Sequence, residues 1–280
     1  MIRIVADSSC DITQEEAKKL NIEIIPLPVN FENDTYLDGI DIDDKKFYSM
    51  LAEAKELPTT SQPNPLDFIN RFEEVKNSDD SMLVITLSSK ISGTYGSACL
   101  YKNESECDRI EIVDSLGTVS YMRMLVMEAV AKRDEGSMDV QALAEHLRNF
   151  QKRIKLIAFI DTLEYLHKGG RLSGASKVFG TLLNIKPLIS IVDGEIRMIN
   201  KKPGVNKAIE QLTTDFKACN IDANYPITFS YSANPDRMNT LIEKLKQDCD
   251  LGDYQTNFIG PVVGVHVGPG ACAVTFVEKE

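Results

Sequence analysis

Three short segments hold most of the side chains that could do chemistry. Thr59-Thr60-Ser61-Gln62-Pro63 sets three hydroxyls in a row before Pro63 and Pro65, which stiffen the backbone. Such hydroxyls either cap the helix that starts near Pro65 or aim at an anion. Ser88-Ser89-Lys90-Ile91-Ser92-Gly93-Thr94 follows a strongly strand-like run, Met82 to Leu87, and precedes a helical stretch. Open α/β sheets bind ligands at the carboxyl ends of strands, where the next helix start offers free N–H groups to negative charge. Ser92 or Thr94 also suits a helix cap, and a cap and an anion site share the same end. The third segment, Gly264 to Gly270, reads as an apolar strand carrying His266 just before a Gly268-Pro269-Gly270 turn. A lone histidine on an apolar strand is more often a satisfied core residue than a functional one. The adjacent turn, though, places this imidazole where it can reach the edge of a cleft.

Other chemistries fail on spacing. The turn after the first strand-like run is Asp7-Ser8-Ser9, with no glycine before Gly39, so a dinucleotide fingerprint is absent. Gly169 and Gly174 have the glycine spacing of a phosphate-binding loop, but Ala175 stands where its lysine should be. No serine has the flanking glycines of a nucleophile elbow, which leaves only a triad assembled across the chain from Ser61 or Ser92 with His266. The six cysteines form no C-x-x-C pair and the three histidines no metal-binding motif, so neither a metal nor any other cofactor is expected.

The elements that must position these segments follow a βα rhythm. Strands are expected over Ile2 to Ala6, Ile22 to Asn30, Met82 to Leu87, Arg109 to Val113 and Leu156 to Ile160, alternating with helices, as in a parallel sheet. Thr13 with Glu16 reads as a capping box. After that, Pro187 to Val192 and Ile196 to Asn200 flank Asp193-Gly194 as a hairpin. Strands at Ile227 to Tyr231, Val262 to Val267 and Ala273 to Val277, with two helices, complete an α+β half. The fold class is therefore α/β: an N-terminal parallel-sheet α/β domain over 1–160 and a smaller C-terminal α+β domain over 161–280. The 280 residues suffice for two cores, and 43% hydrophobic with 26% charged residues is ordinary globular composition. A net charge of -11 argues against general nucleic-acid affinity, and no apolar run reaches the roughly 20 residues of a membrane span. With no signal peptide pattern at Met1 to Val5, a cytoplasmic location is expected, and no heptad or interface signature argues against a monomer.

Five segments in register, IRIVADSSCDI, TTSQPNP, LSSKISGTYGSA, DTLEYLHKGGRLSGAS and GVHVGPGA, resemble the landmarks of the DegV family of bacterial fatty-acid-binding proteins. The resemblance spans nearly the whole chain. It implies an N-terminal domain of the type shared with dihydroxyacetone kinases, an α+β second domain, and one long-chain fatty acid between them. It further implies a carrier rather than an enzyme, with no catalytic residues of its own. The carrier would present the acyl carboxylate to a separate fatty acid kinase subunit, whose acyl phosphate product feeds phospholipid synthesis. Carried onto this sequence, the carboxylate site falls on Thr60, Ser92 and His266, assisted by Ser61 and Gly93, with Arg171 near the head-group mouth or the kinase-docking face. Cys10 and the tail CAVTFVEKE depart mildly from the family pattern, away from that site.

The residue types suit such a task. A palmitate-sized tail has about 14 methylenes, and at roughly 0.8 kcal/mol each their burial favours binding by on the order of 11 kcal/mol before association costs. Hydroxyls and an imidazole N–H can replace the hydration of the carboxylate without a permanent ion pair. Apolar positions Ile185, Leu188, Ile189, Ile191 and Phe229 are candidates for the tail channel, and Phe159 and Leu163 for the domain junction. An acyl hydrolase or transferase using the same serines, and a binder of another small anion, remain the competing classes.

Overall fold

The runs Ile2 to Ala6 and Met82 to Leu87 lack the alternation of a half-solvated strand, and strands of that composition need cover on both faces. The computed structural model, which describes residues 1–173 and 184–280, supplies that cover. Its first half runs β1 (Ile2–Asp7), α1 (Gln14–Leu20), β2 (Ile22–Ile25), β3 (Pro28–Phe31), β4 (Asp34–Leu37) and α2 (Asp44–Glu53). Next come β5 (Thr59–Thr60), α3 (Pro65–Lys76), β6 (Ser81–Thr86), α4 (Thr94–Ser105), β7 (Ile110–Asp114), α5 (Val119–Glu135) and α6 (Val140–Phe150). The second half begins with β8 (Ile154–Phe159), α7 (Glu164–Lys168), β9 (Ile185–Val192), β10 (Glu195–Pro203) and α8 (Gly204–Lys217). It finishes with β11 (Ile227–Tyr231), α9 (Asp236–Asp248), β12 (Tyr254–Phe258), α10 (Pro261–Val267) and β13 (Cys272–Val277).

Strands β2-β1-β6-β7 form a four-stranded parallel sheet, as the alternating pattern requires. Val5, Met82, Val84 and Ile112 face Phe68 and Phe72 of α3, while Ile4, Ala6, Leu83 and Ile85 join the larger core on the other side. A six-stranded mixed sheet, β10-β9-β8-β13-β11-β12, makes the second layer. One face packs Phe159, Leu188, Phe229, Val274 and Phe276 with residues of α8 and α9. Its other face turns Leu156, Ala158, Ile189 and Ala273 into the large core shared with α5 and the first sheet.

Several expectations need correction. The strand over Leu156 to Ile160 is expected in the parallel sheet, yet β8 pairs antiparallel with β9 and β13 in the six-stranded sheet. A β-branched run states strand character but not its partners. Ile22 to Asn30 is not one strand: Pro26 and Pro28 break it, leaving β2 in the parallel sheet and β3 at the centre of a small β4-β3-β5 sheet. The largest reversal is Val262 to Val267, expected as a strand and found as helix α10. Pro261 occupies the first turn, Gly260 before it is extended, and Gly268 at φ 69° ends it. The hairpin forms as expected, with Asp193 at φ 52° and Gly194 at φ 82°, the paired positive values of a type I′ turn. No helix among the described residues is long and apolar enough to cross a membrane.

Candidate functional site

Helix α10 packs against α2, α7, β3 and β5, and this contact joins two of the three segments singled out in the sequence. Thr60 lies on β5, paired opposite Val29 of β3, and His266 lies in the last turn of α10. Their side chains meet, with Thr60 Oγ1 2.9 Å from His266 Nε2. The imidazole is part-buried, and burial, reinforced by the Arg171 charge, pushes its pKa down to about 4. It is therefore neutral at physiological pH. Its Nδ1 is buried without a hydrogen-bond partner among the described residues. A bare ring nitrogen is less expensive to bury than an orphaned N–H, which assigns the proton to Nε2, donating to Thr60 Oγ1. The Thr60 hydroxyl proton is then free to point elsewhere.

The Ser88 to Thr94 turn supplies the opposite wall. Ser92 Oγ lies 3.0 Å from Thr94 Oγ1 and accepts from the Thr94 N–H at 3.3 Å, so Ser92 braces the start of α4 as well as facing the cavity. Arg171 donates through Nε to the Ile91 carbonyl at 3.1 Å and through a terminal nitrogen to the Gly169 carbonyl. Of the segment Lys168 to Gly174, Gly174 lies outside the described residues, as do Ala175 and Ser176 of the longer motif. Gly169 touches the imidazole: a Cβ there would sit 3.1 Å from His266 Cε1 and closer still to Nδ1.

Thr60, Ser61, Ser92, Arg171 and His266 line one cavity of about 40 Å³, together with Leu27, Leu87, Ile91 and Val262. Gly93 does not line it; it precedes α4, beside Gln62. Thr118, Ile196, Val263 and Val267 are shared with a second cavity of about 40 Å³, which continues inward between α5 and the six-stranded sheet. Its walls include Leu156, Ala158, Ile189, Ile191, Ala271 and Ala273, and the Ser190 hydroxyl at its edge is occupied by the Leu156 carbonyl. Of the residues expected along a tail channel, Ile189 and Ile191 are present. Leu188, Phe159 and Phe229 point to the opposite face of the sheet, since neighbours along a strand alternate sides. Ala158 and Ala273 stand directly opposite each other on β8 and β13 and leave the floor of the inner cavity low.

The sequence reading missed a cluster at the other end of α10. The Gly260 N–H donates to Asp11 Oδ1 at 3.0 Å, and the Val262 N–H reaches Asp38. Tyr48 donates from its hydroxyl to the Ile259 carbonyl at 3.0 Å. A Cβ on Gly260 would lie 2.9 Å from Asp11, 3.7 Å from Asp44 and 3.8 Å from Asp38. Burial raises the Asp38 carboxyl to about 7 and Asp44 to about 6, and holds Asp11 well above the usual range. Asp7, bonded to Ser9 and to the Leu87 N–H, is likewise raised by burial to about 6. Asp7 and Asp11 lie close in sequence, as do Asp38 and Asp44, but the two pairs are well separated and no spacing announces that they meet. Among the described residues, no group of three or more His, Cys, Asp or Glu is arranged to hold a metal ion.

A family model described as uncharacterised protein, DegV family, matches residues 1–279. A DegV domain-containing protein of Caldanaerobacter subterraneus is 34% identical over 279 residues, 99% of each chain. Two solved structures are similar throughout. One is a DegV family protein from Thermus thermophilus described by its fatty acid binding, with TM-score 0.89, 29% identity and 99% of both chains covered. The other is DegV from Bacillus subtilis, described as a fatty acid binding protein, with TM-score 0.86, 29% identity and 99% of both chains covered. Matched along essentially its whole length, the chain belongs to the DegV family.

Proposed function

We propose that the chain binds one long-chain fatty acid, its carboxylate at Thr60, Ser61, Ser92 and His266 and its tail in the inner apolar cavity. One observation carries this reading. A cavity rimmed by hydroxyls and a neutral imidazole runs on, through four shared residues, into a cavity walled almost entirely by aliphatic side chains. An amphiphile with an acidic head matches both parts, and the Thermus and Bacillus relatives are described as fatty acid binders. The Thr60 hydroxyl, with His266 donating to its oxygen, has its own proton for the carboxylate. Polarisation along such a chain strengthens the outer bond. The two cavities are narrow, so a full acyl chain enters by parting their walls. The tail supplies most of the affinity and the clamp fixes orientation.

In the same reading the carrier leaves the chemistry to a fatty acid kinase subunit, which phosphorylates the presented carboxylate. Neutral donors at the carboxylate suit this, because a direct ion pair would quench the oxygen that must attack phosphorus; Arg171, which also lines the cavity, is turned to the Ile91 and Gly169 carbonyls. A serine nucleophile is less well served: Ser92 is paired with Thr94, and the imidazole faces Thr60.

Denaturing extraction of freshly purified protein followed by mass spectrometry is the direct test. An intact free fatty acid at about one per chain is expected, whereas a covalently acylated serine, or a polar anion alone, refutes the carrier reading. Adding the kinase subunit and ATP should yield acyl phosphate only with this chain present.

A further inference from the structure

Gly93 invites a question that its backbone does not answer. At φ -80° and ψ -2° it adopts a conformation open to any residue, so glycine is not needed there for a positive φ. What excludes a side chain is Gln62. A Cβ on Gly93 would lie 2.8 Å from Gln62 Cδ and 3.3 Å from Oε1, with Nε2 nearer still. The same amide is held from one turn further along α4, where the Ser97 hydroxyl donates to Gln62 Oε1. Ser97 in turn donates its backbone N–H to the Gly93 carbonyl at 3.0 Å. The Gln62 side chain thus crosses from the loop carrying Thr60 and Ser61 to the helix start carrying Ser92. Both Gln62 and Gly93 are exposed and neither lines the cavity, whereas their neighbours Ser61 and Ser92 do.

We propose that Gln62 is a clip on the solvent side of the carboxylate cavity, holding its two hydroxyl-bearing walls together and governing how readily the head group is released or reached. The proposal rests on the fatty-acid reading and adds a residue that sets exchange rate. The clip is built to open. Its end is a flexible, uncharged amide held by one hydroxyl and by contact with a bare Cα, so swinging it out breaks no ion pair and leaves the wall segments folded. With the clip shut, the Thr60 and Ser92 walls are tied and the head group is retained. When it swings out, the carboxylate faces solvent or a protein partner. Glycine at position 93 is then the seat of the clip, and any larger residue holds the clip ajar.

The test compares wild type, Gln62→Ala, Gly93→Ala and the double variant, using cis-parinaric acid, a fluorescent 18-carbon fatty acid, as probe. Hydrogen exchange of the backbone amides over 59–62 and 93–97 in the ligand-free proteins reads the clip without any ligand. Each single variant should speed exchange in both segments and raise the rate of probe release by about five-fold, the scale of one neutral hydrogen bond. The double variant should release no faster than the faster single one, because both substitutions open the same contact. Multiplying effects, or an unchanged release rate despite faster amide exchange, overturns the clip. Probe binding by none of the four proteins sinks the fatty-acid reading itself, and the role of the clip with it.

Discussion

The two ends of α10 carry opposite chemistry. At its start, Asp11 and Asp38 accept backbone N–H groups, so the first N–H groups of a short helix are taken by buried carboxyl groups from the preceding chain. At its far end, His266 meets Thr60 in a cavity lined by hydroxyls, with Arg171 nearby and no carboxylate in the lining. The first end already has its N–H groups taken by carboxyl oxygens, and the second is equipped to accept an anion. The difference shows that a helix start is not by itself an anion site, because its N–H groups must first be free. The available helix start here is that of α4, after the parallel sheet, where Ser92 stands.

The comparison yields predictions of decreasing size. The largest concerns the apolar continuation of the second end. Ala273→Leu adds three carbons to the floor of the inner cavity, displacing about three methylenes at roughly 0.8 kcal/mol each, so fatty acid affinity should fall roughly fifty-fold. Titration with a fluorescent fatty acid reads this, and unchanged affinity would place the tail elsewhere. Next, His266→Ala or Thr60→Ala should weaken binding by about ten-fold, as expected for one hydrogen bond to a charged acceptor, while circular dichroism stays native. Loss of folding in either variant would reassign the pair to the core.

At the acidic end the expected effect is on stability. Asp38 is raised from 3.8 to about 7, so the folded state holds a proton that the unfolded chain has released between those values. Stability therefore falls as pH rises from about 4 through 7. Asp38→Asn should melt on the order of 3 °C higher than wild type at pH 8, with the gap narrowing as pH falls and closing near pH 4. A gap undiminished between pH 8 and pH 4 would mean that Asp38 is charged in the fold. The smallest effect returns to the other end. With His266 titrating near 4, its protonation should change affinity less than about two-fold between pH 5.5 and 8. A steep dependence in wild type that vanished in Asp38→Asn would show the two ends communicating along α10.

How much of this was legible varied with how local the signal was. The helix starts after Thr13 and at Pro65 stand where the sequence places them, as does the hairpin around Asp193-Gly194, because capping and turn chemistry act over a few residues. The hydroxyl clusters and His266 were visible as types in suggestive places. Their meeting, across 206 positions, came from the family resemblance and not from spacing. Helix α10 reads as a strand in the sequence because Val262, Val263, Val265 and Val267 have strand character. The contrary signal, Pro261 after Gly260, outweighs it only once Asp11 and Asp38 take up the freed N–H groups. Tertiary partners thus overrode local propensity. The same holds for β12, whose exposed polar residues Gln255 and Thr256 gave no apolar pattern to read. Gln62 went unread because its importance lies in the missing side chain of Gly93.

Strand β13, although last in order, sits between β8 and β11, with all six residues buried. During synthesis on the ribosome, the floor of the inner cavity therefore stays split until Cys272 to Val277 emerge. Until then the exposed edges of β8 and β11 offer unpaired backbone to neighbouring nascent chains. The timing of assembly, and exposure to chaperones, is set by the emergence of β13 rather than by the parallel sheet that precedes it.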